Sequence, residues 1–221
     1  MTAGVLCLQG GRELTPPCRE MDRAVLDRCA GPVAVLAGAA RPGSDYDGAS
    51  ARAAGHYRAL GAEVRVVPDP RADVAGALAE LTDDVGLVVL PGGAPGGLLD
   101  VLTGVDDGSI GRRLTDLWTR GAGLSGASAG AMVLCARTAT PDRAAPFADG
   151  LGLVDGLAVP HWSPGSERRW APDDALLWGL PERGGVLIDG DEMVAVGEGR
   201  PSFRLDGSWH EVSRTPDRLP G

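Results

Sequence analysis

A glycine-flanked serine is the feature of this 221-residue sequence that most directly suggests chemistry. Residues 126–130 read Gly-Ala-Ser-Ala-Gly and match G-x-S-x-G, the pattern of a nucleophile elbow. In an elbow, a strand turns sharply into a helix and exposes the central serine hydroxyl above the edge of a sheet. A strand-like run at Ala122–Ala127 leads into the motif, and an apolar helical run at Ala131–Cys135 follows it. Because glycine-rich chains match the pattern by chance, this context carries the prediction that Ser128 is a nucleophile.

The chain has three histidines from which to choose a base. His56 falls within a helical run at Ala49–Leu60, and His210 lies in an expected hairpin near the end of the chain. His161 closes a strand-like run at Val154–Pro160 and opens a polar loop. Catalytic groups of α/β proteins gather on such loops, at the carboxyl ends of strands. We therefore predict that His161 is the base that takes the proton of the serine hydroxyl.

The acid that would orient the histidine is harder to choose, because the sequence holds 30 acidic residues. Asp142 comes soon after the apolar helical run that follows the serine, and we favour it for this role. Asp149 and Asp189 are the main alternatives, and Asp155 and Glu192 are further candidates. Composition singles out none of them.

A glycine-rich loop at residues 91–97 follows the strand-like run Val85–Leu90. Glycines let a backbone approach a substrate without a Cβ atom in the way. Backbone N–H groups stabilise the oxyanion that forms when a serine attacks a carbonyl, and we predict those of Gly93 and Ala129 for this task. A phosphate-binding loop is the alternative, but the segment lacks the G-K-[ST] ending and the G-x-G-x-x-G pattern.

Composition restricts the partners and the compartment. The formal net charge is −9, and all 21 basic residues are arginine. Since nucleic-acid binding needs a basic surface, that class is disfavoured. No apolar run reaches the roughly 18 residues of a membrane span, and the run Val5–Leu8 is too short for a signal peptide. We expect a cytoplasmic protein with free cysteines, no cofactor and no metal, because the sequence holds no metal-ligand motif.

The elements that must hold these residues alternate between strand and helix over the first two thirds of the chain. Apolar residues recur at helical spacing over 74–81 and 110–118, and strand-like runs lie between such segments. The runs are nearly continuous in Val and Leu, as in a parallel sheet that is covered on both faces. These runs include Val5–Gln9, Pro32–Ala37, Glu63–Val67 and Val85–Leu90. The alternation predicts an α/β fold: a three-layer αβα sandwich around a mostly parallel sheet, in a single domain over residues 1–221.

The last third of the chain predicts an antiparallel edge on that sheet. Short strand candidates follow one another there, and Asp206-Gly207 between the last two is a hairpin turn signal. The candidates are Gly185–Asp189, Glu192–Val196, Ser202–Leu205 and Trp209–Val212.

Taken together, these motifs resemble the dipeptidase E and cyanophycinase family of serine peptidases over nearly the whole chain. The resemblance lies in the elbow at 126–131, in Gly92-Gly93 with Leu98-Leu99 behind it, and in Leu151-Gly152-Leu153 leading to Pro160-His161. Any one of these motifs is weak, and their order and spacing make the resemblance specific. One departure is the loop sequence Gly92-Gly93-Ala94-Pro95, where the family often has Gly-Gly-Asn-Thr.

The resemblance implies a fold similar to class I glutamine amidotransferases and a Ser–His–acid triad. Ser128 and His161 match the family's nucleophile and base, and its acid falls on or near Asp142. Family members cleave peptides beside aspartyl residues, either Asp-X or β-aspartyl bonds. Arginines shortly after the histidine bind the acidic group of the substrate, and Arg168 and Arg169 stand in the matching place.

Two other functions remain open from the sequence. The same scaffold can carry an amide or ester hydrolase, or an acyl-transfer enzyme, that acts on a non-aspartyl substrate. A binding module without catalysis is the other alternative, and the presence of both Ser128 and His161 speaks against it. In either enzymatic case the expected partner is a small peptide or amide, with neither nucleic acid nor membrane. A homodimer is compatible with the sequence, which does not set the number of subunits.

Overall fold

A computed structural model describes residues 2–166 and 175–220 of the chain, which form two sheets. The first sheet has eight strands in the order β14-β11-β10-β1-β5-β4-β2-β3, and the second has six in the order β13-β12-β9-β8-β6-β7. The strands are β1 (Leu6–Gln9), β2 (Val33–Val35), β3 (Val64–Val66), β4 (Leu87–Leu90), β5 (Gly123–Ala127), β6 (Cys135–Ala139), β7 (Phe147–Asp149), β8 (Val154–Pro160), β9 (Leu177–Leu180), β10 (Gly184–Asp189), β11 (Glu192–Gly197), β12 (Ser202–Leu205), β13 (Ser208–Glu211) and β14 (Asp217–Arg218).

Helices cover both faces of the first sheet. They are α1 (Arg19–Leu26), α2 (Ser44–Ala59), α3 (Val74–Glu80), α4 (Pro95–Leu99), α5 (Ser109–Thr119) and α6 (Ala129–Leu134). Met21 of α1 and Ala53 of α2 belong to one buried apolar cluster. Ala77 of α3 and Leu114 of α5 belong to a second cluster, which includes the opposite-facing residues of the same strands. The predicted three-layer sandwich is therefore confirmed.

The centre of the first sheet is parallel and one edge is antiparallel, as predicted. Strands β1, β5, β4, β2 and β3 pair in parallel, whereas β10 pairs antiparallel with β1 and β11. The carboxyl ends of parallel strands meet at one edge of a sheet, so β1, β4 and β5 bring Gly10, Pro91 and Ser128 to the same edge. This edge is where ligands bind in open α/β sheets.

The C-terminal hairpin lies in a different place from the one expected. Strands β12 and β13 are joined through Asp206 and Gly207, both at positive φ (50° and 77°), as the turn signal predicted. The hairpin extends the second sheet through β9, however, and not the edge of the first sheet. Phe203 of β12 pairs with Trp178 of β9, and their rings lie 6.1 Å apart. The fully buried Trp178 thus gives the hairpin an apolar partner that local sequence signals could not identify.

No helix among residues 2–166 and 175–220 has the length and apolar character needed to cross a membrane.

Candidate active site

Ser128 occupies the turn between β5 and α6. Its backbone has φ 49° and ψ −109°, a strained conformation for a residue with a side chain. The turn is held by a hydrogen bond from Ser128 N to Gln9 O at 2.9 Å. A Cβ atom on Gly126 would lie 2.4 Å from the Gly130 carbonyl carbon, and one on Gly130 would lie 2.1 Å from Leu90 O. The two glycines of the motif are therefore required by the close approach of strand and helix, which is the geometry of a nucleophile elbow.

His161 lies directly opposite the serine. Its Nε2 is 3.2 Å from Ser128 Oγ, a distance suited to proton transfer. The His161 backbone also has a positive φ of 52°, and its N–H donates to Gly10 O at 2.8 Å. The imidazole packs on Gly11, where an added Cβ atom would lie 2.3 Å from Cε1 of the ring. The Gly10-Gly11 pair after β1 therefore sets the position of the histidine.

The carboxylate beside His161 belongs to Glu182. Its Oε1 is 3.3 Å from His161 Nδ1, and its Oε2 accepts a hydrogen bond of 3.1 Å from Arg12 Nε. Desolvation raises the pKa of Glu182, but the hydrogen bonds from His161 and Arg12 and the charge of Arg12 outweigh it, so the pKa lies below its ordinary value. The serine, histidine, glutamate and arginine side chains form one continuous chain of polar contacts.

Asp142, the acid favoured from the sequence, lies elsewhere. Its Oδ1 accepts a hydrogen bond from Gly96 N at 3.1 Å, at the start of α4. Of the alternatives, Asp189 lies at the far end of β10, where its carboxylate is 4.0 Å from Arg28 Nε. Asp149 is the last residue of β7, opposite Arg137 of β6 in the strand register of the second sheet. In the structure Glu182, and not Asp142, is within hydrogen-bonding distance of His161.

Sequence reasoning missed Glu182 and Arg12, although each follows a strand. Glu182 comes two residues after β9, at the same kind of strand end that singled out His161. The run Leu177–Leu180 is short and includes Gly179, so its local pattern does not mark it as a strand or the carboxylate behind it as a site residue. Arg12 follows the Gly10-Gly11 pair after β1, and only its contact with Glu182 gives it a place in the site.

The glycine-rich loop lies beside the nucleophile. A Cβ atom on Gly92 would be 3.2 Å from Ser128 Cβ. Glu13 Oε1 accepts the Gly92 N–H at 2.8 Å, and Ala39 O accepts the Ala94 N–H at 2.9 Å. Gly93 between them has φ 154°, and a Cβ atom there would lie 2.3 Å from Ala39 O. The loop is thus held on both sides of Gly93, whose assignment with Ala129 to an oxyanion hole stays a prediction.

A cavity of about 520 Å³ opens in front of the serine. Gly93, Ser128 and His161 line it, and apolar side chains make up much of the remaining lining. Arg143 also lines it, donates to Gly96 O and pairs with Asp100 at 2.5 Å. The predicted substrate-binding residues Arg168 and Arg169 lie outside the described residues.

The cysteines do not compete with the serine as nucleophiles. All four are free, and burial raises the pKa of the Cys18 thiol and raises that of Cys29 to about 11. Cys7 and Cys135 are completely buried. Burial raises the pKa of both of these thiols to about 12, so they stay protonated at neutral pH. Among the residues that the structure describes, no group of three or more His, Cys, Asp or Glu side chains is arranged to hold a metal ion.

Comparison with known families decides the membership of the chain. The family model described as Peptidase family S51 matches residues 17–200, a range that includes Ser128, His161 and Glu182. The chain belongs to peptidase family S51. The resemblance inferred from the sequence is therefore confirmed, and this S51 chain is a serine peptidase.

Two solved structures have the same fold. A peptidase from an acI-B1 Actinobacterium superposes with a TM-score of 0.80 at 21% identity, over 99% of this chain and 98% of its own. A protein of Listeria monocytogenes EGD-e, provisionally named peptidase E, has a TM-score of 0.66 at 15% identity, over 89% of the S51 chain and 100% of its own. At these identities the likeness establishes the fold. No curated protein sequence matches the chain.

Proposed function

We propose that this S51 peptidase hydrolyses an amide bond beside an aspartyl residue, as Asp-X or β-aspartyl-X, through the triad Ser128–His161–Glu182. The observation that carries the proposal is the continuous chain of contacts from Ser128 Oγ through the imidazole to the Glu182 carboxylate, at 3.2 Å and 3.3 Å. A nucleophile in reach of a base that is itself oriented by an acid is the arrangement that activates serine.

The acylation step follows from this arrangement. His161 Nε2 takes the Ser128 Oγ proton while Oγ forms a bond to the scissile carbonyl carbon, and the carbonyl oxygen takes up the negative charge. The N–H groups of Gly93 and Ala129 stabilise that oxyanion. The imidazolium then gives its proton to the leaving amine as the C–N bond breaks, which leaves an ester between Ser128 and the acyl group.

Deacylation repeats these proton transfers, with water as the nucleophile in place of Ser128. His161 removes a proton from the water as its oxygen bonds to the ester carbonyl, and returns it to Ser128 Oγ when the ester bond breaks. Glu182 holds the imidazole in the tautomer that presents Nε2 to the serine, and stabilises the imidazolium that forms twice per turnover. Arg12 keeps the Glu182 carboxylate charged and fixes its second oxygen, which supports the glutamate in this role.

The positive charge of arginine side chains near the serine favours an acidic substrate. Arg143 lines the cavity in front of Ser128. Its guanidinium already contacts Asp100 and Gly96 O, which hold it in one orientation. Arg143, with Arg168 and Arg169 as the family resemblance implies, supplies the positive charge that recognises an aspartyl side chain.

Matched substrates test the proposal. The purified protein is assayed against Asp-X, β-Asp-X, Asn-X and Ala-X peptides with the same X, and against a neutral acyl ester. We expect cleavage of one of the two aspartyl series at a kcat/KM at least about tenfold above the Asn-X series, since one charge-assisted hydrogen bond contributes that much. Ser128→Ala should abolish cleavage and labelling by a fluorophosphonate.

Two results would overturn parts of this proposal. Equal rates on Asp-X and Asn-X peptides, or turnover of the ester alone, would replace the aspartyl assignment with an amide or ester hydrolase or an acyl-transfer enzyme of the same scaffold. Fluorophosphonate labelling that persists in Ser128→Ala, or is absent from the wild-type protein, would remove Ser128 as the nucleophile.

A further inference from the structure

A second histidine–carboxylate pair is buried behind the nucleophile elbow. Asp22 of α1 is 1% exposed, and the His56 side chain of α2 is 6% exposed. His56 Nε2 donates to Asp22 Oδ2 at 2.7 Å. The proposed mechanism uses neither residue, and a buried carboxylate is costly unless hydrogen bonds compensate for its lost hydration.

Asp22 receives two more hydrogen bonds, one from the first sheet and one from α2. Its Oδ1 accepts from Gln9 Nε2 at 2.8 Å and from the Tyr57 hydroxyl at 3.2 Å. Burial, and next the charge of Asp22, raise the pKa of Tyr57 well above its ordinary value, so the phenol stays protonated and donates. Gln9 Nε2 also lies 3.0 Å from Ser125 Oγ. Both N–H groups of the Gln9 amide are therefore used, which fixes its orientation.

This network reaches the nucleophile through the backbone. Gln9 is the last residue of β1, and its carbonyl oxygen accepts the Ser128 N–H that holds the strained turn. Ser125 lies on β5, the strand that leads into the same turn. Hence Asp22 binds the Gln9 side chain of β1, and Gln9 in turn binds Ser125 of β5, at the point where the two strands set the position of the serine. A catalytic group displaced by about 1 Å can lose roughly 100-fold in rate.

We propose that Asp22, His56 and Tyr57 are positioning residues for Ser128, which they hold in its reactive geometry through Gln9. The inference rests on the proposed role of Ser128 as nucleophile. It predicts that weakening the network slows the chemical step at the serine and leaves reversible ligand binding in the cavity unchanged.

The chain offers a matched pair of substitutions for the test. Tyr57 and Tyr46 are both buried on α2, and each donates through its hydroxyl. The Tyr57 hydroxyl binds Asp22, whereas the Tyr46 hydroxyl donates to backbone carbonyls after β3, to Val67 O at 2.8 Å and to Pro68 O at 3.2 Å. Tyr57→Phe and Tyr46→Phe thus delete the same chemical group from the same helix, but only the first deletion touches the network.

The experiment measures fluorophosphonate labelling of Ser128 at a series of probe concentrations, which separates the maximal rate from the apparent affinity. We expect Tyr57→Phe to lower the maximal rate by about 3–10-fold and Asp22→Asn by about 10–100-fold, with the apparent affinity within about twofold of wild type. Tyr46→Phe should lower the melting temperature as Tyr57→Phe does and label at the wild-type rate. His56→Gln, which keeps an N–H for Asp22, should retain more of the rate than His56→Leu.

The outcomes separate this inference from the proposed function. If wild type labels at Ser128 and Tyr57→Phe loses stability without losing rate, the network is only structural and the inference is wrong. If the two tyrosine variants slow labelling equally, the effect is a general loosening of α2, which also overturns it. If wild type does not label at Ser128, the proposed nucleophile fails and the inference fails with it. Should Asp22→Asn not fold, the tyrosine pair decides alone.

Discussion

His161 Nδ1 lies 3.3 Å from Glu182 Oε1, and this contact lies at the turn where the chain passes from the second sheet to the first. His161 follows β8 and Glu182 lies in the turn between β9 of the second sheet and β10 of the first. The histidine and glutamate side chains are 52% and 41% exposed, so a substrate can reach both without a large rearrangement. The identity of the acid is therefore the most direct point at which the proposed mechanism can be tested.

Glu182→Gln should slow turnover far more than Asp142→Asn. The amide cannot stabilise an imidazolium, and substitutions of this kind in other triads cost about 10⁴-fold in kcat. In Asp142→Asn the oxygen of the new side-chain amide would still accept the Gly96 N–H, so this variant should stay within about threefold of wild type. Steady-state kinetics on the best peptide substrate decide between them. A larger loss of kcat for Asp142→Asn than for Glu182→Gln would assign the role of the triad acid to Asp142.

The Glu182 contacts should stabilise the fold at neutral pH and not at low pH. Its pKa is lowered in the folded protein, so the stabilisation is present above the unfolded-state pKa of about 4.3 and is lost as the pH falls through the lower folded-state value. We expect the melting temperature of Glu182→Gln to lie below that of wild type at about pH 7, and the difference to shrink toward about pH 3.

Glu198→Gln controls for the loss of one surface carboxylate in that comparison, because Glu198 pairs with Arg183 at 3.3 Å on the exposed surface. Thermal unfolding of the three proteins across the same pH series is the measurement. A Glu182→Gln difference that is constant with pH, or that grows as the pH falls, would contradict the lowered pKa of the carboxyl group.

Gly11→Ala should damage the site through His161. The new Cβ atom would lie 2.3 Å from Cε1 of the imidazole, and Gly11 has a φ of 131° that a residue with a side chain rarely adopts. We expect kcat to fall by about 10–100-fold because the base is displaced from the serine.

Gly55→Ala is the matched control for that substitution. A Cβ atom at Gly55 meets no atom within 4 Å, and the residue lies inside α2 at an exposed position. It should therefore stabilise the protein by about 0.5–1 kcal/mol through helix propensity, with activity unchanged. Thermal unfolding and steady-state kinetics on both variants test the pair, and full activity in Gly11→Ala would show that the ring has room to move.

Arg143→Gln should discriminate between acidic and neutral substrates. If the guanidinium binds the substrate carboxylate, the variant loses about 10–150-fold in kcat/KM on the aspartyl peptide, with a smaller loss on a neutral ester. The ester also measures any loosening of the loop that Arg143 holds through Gly96 and Asp100. Equal losses on both substrates would restrict Arg143 to that structural role and leave recognition to Arg168 and Arg169.

The order of the elements was readable from the sequence because it depends on local patterns. Strand-like runs predicted β1 to β5 to within two residues at every end, and β8 and β12 with the bounds that the structure has. The second sheet was not predicted. Its strands pair residues far apart in the chain, as Phe203 pairs with Trp178, and no local signal encodes which strand a hairpin will join.

The sequence alone determined the nucleophile motif, because the elbow is a local device: Gly126 and Gly130 must be small for strand and helix to meet, and both lie within two residues of Ser128. It also indicated His161, through its place after an apolar strand. Only the tertiary structure decided which carboxylate faces the imidazole. Orienting the imidazole requires an acid within hydrogen-bonding distance, and that acid can lie at any distance along the chain. Many acidic residues satisfied the sequence criteria equally well, and the packing of the loop after β9 against Gly11 and Arg12 selected Glu182.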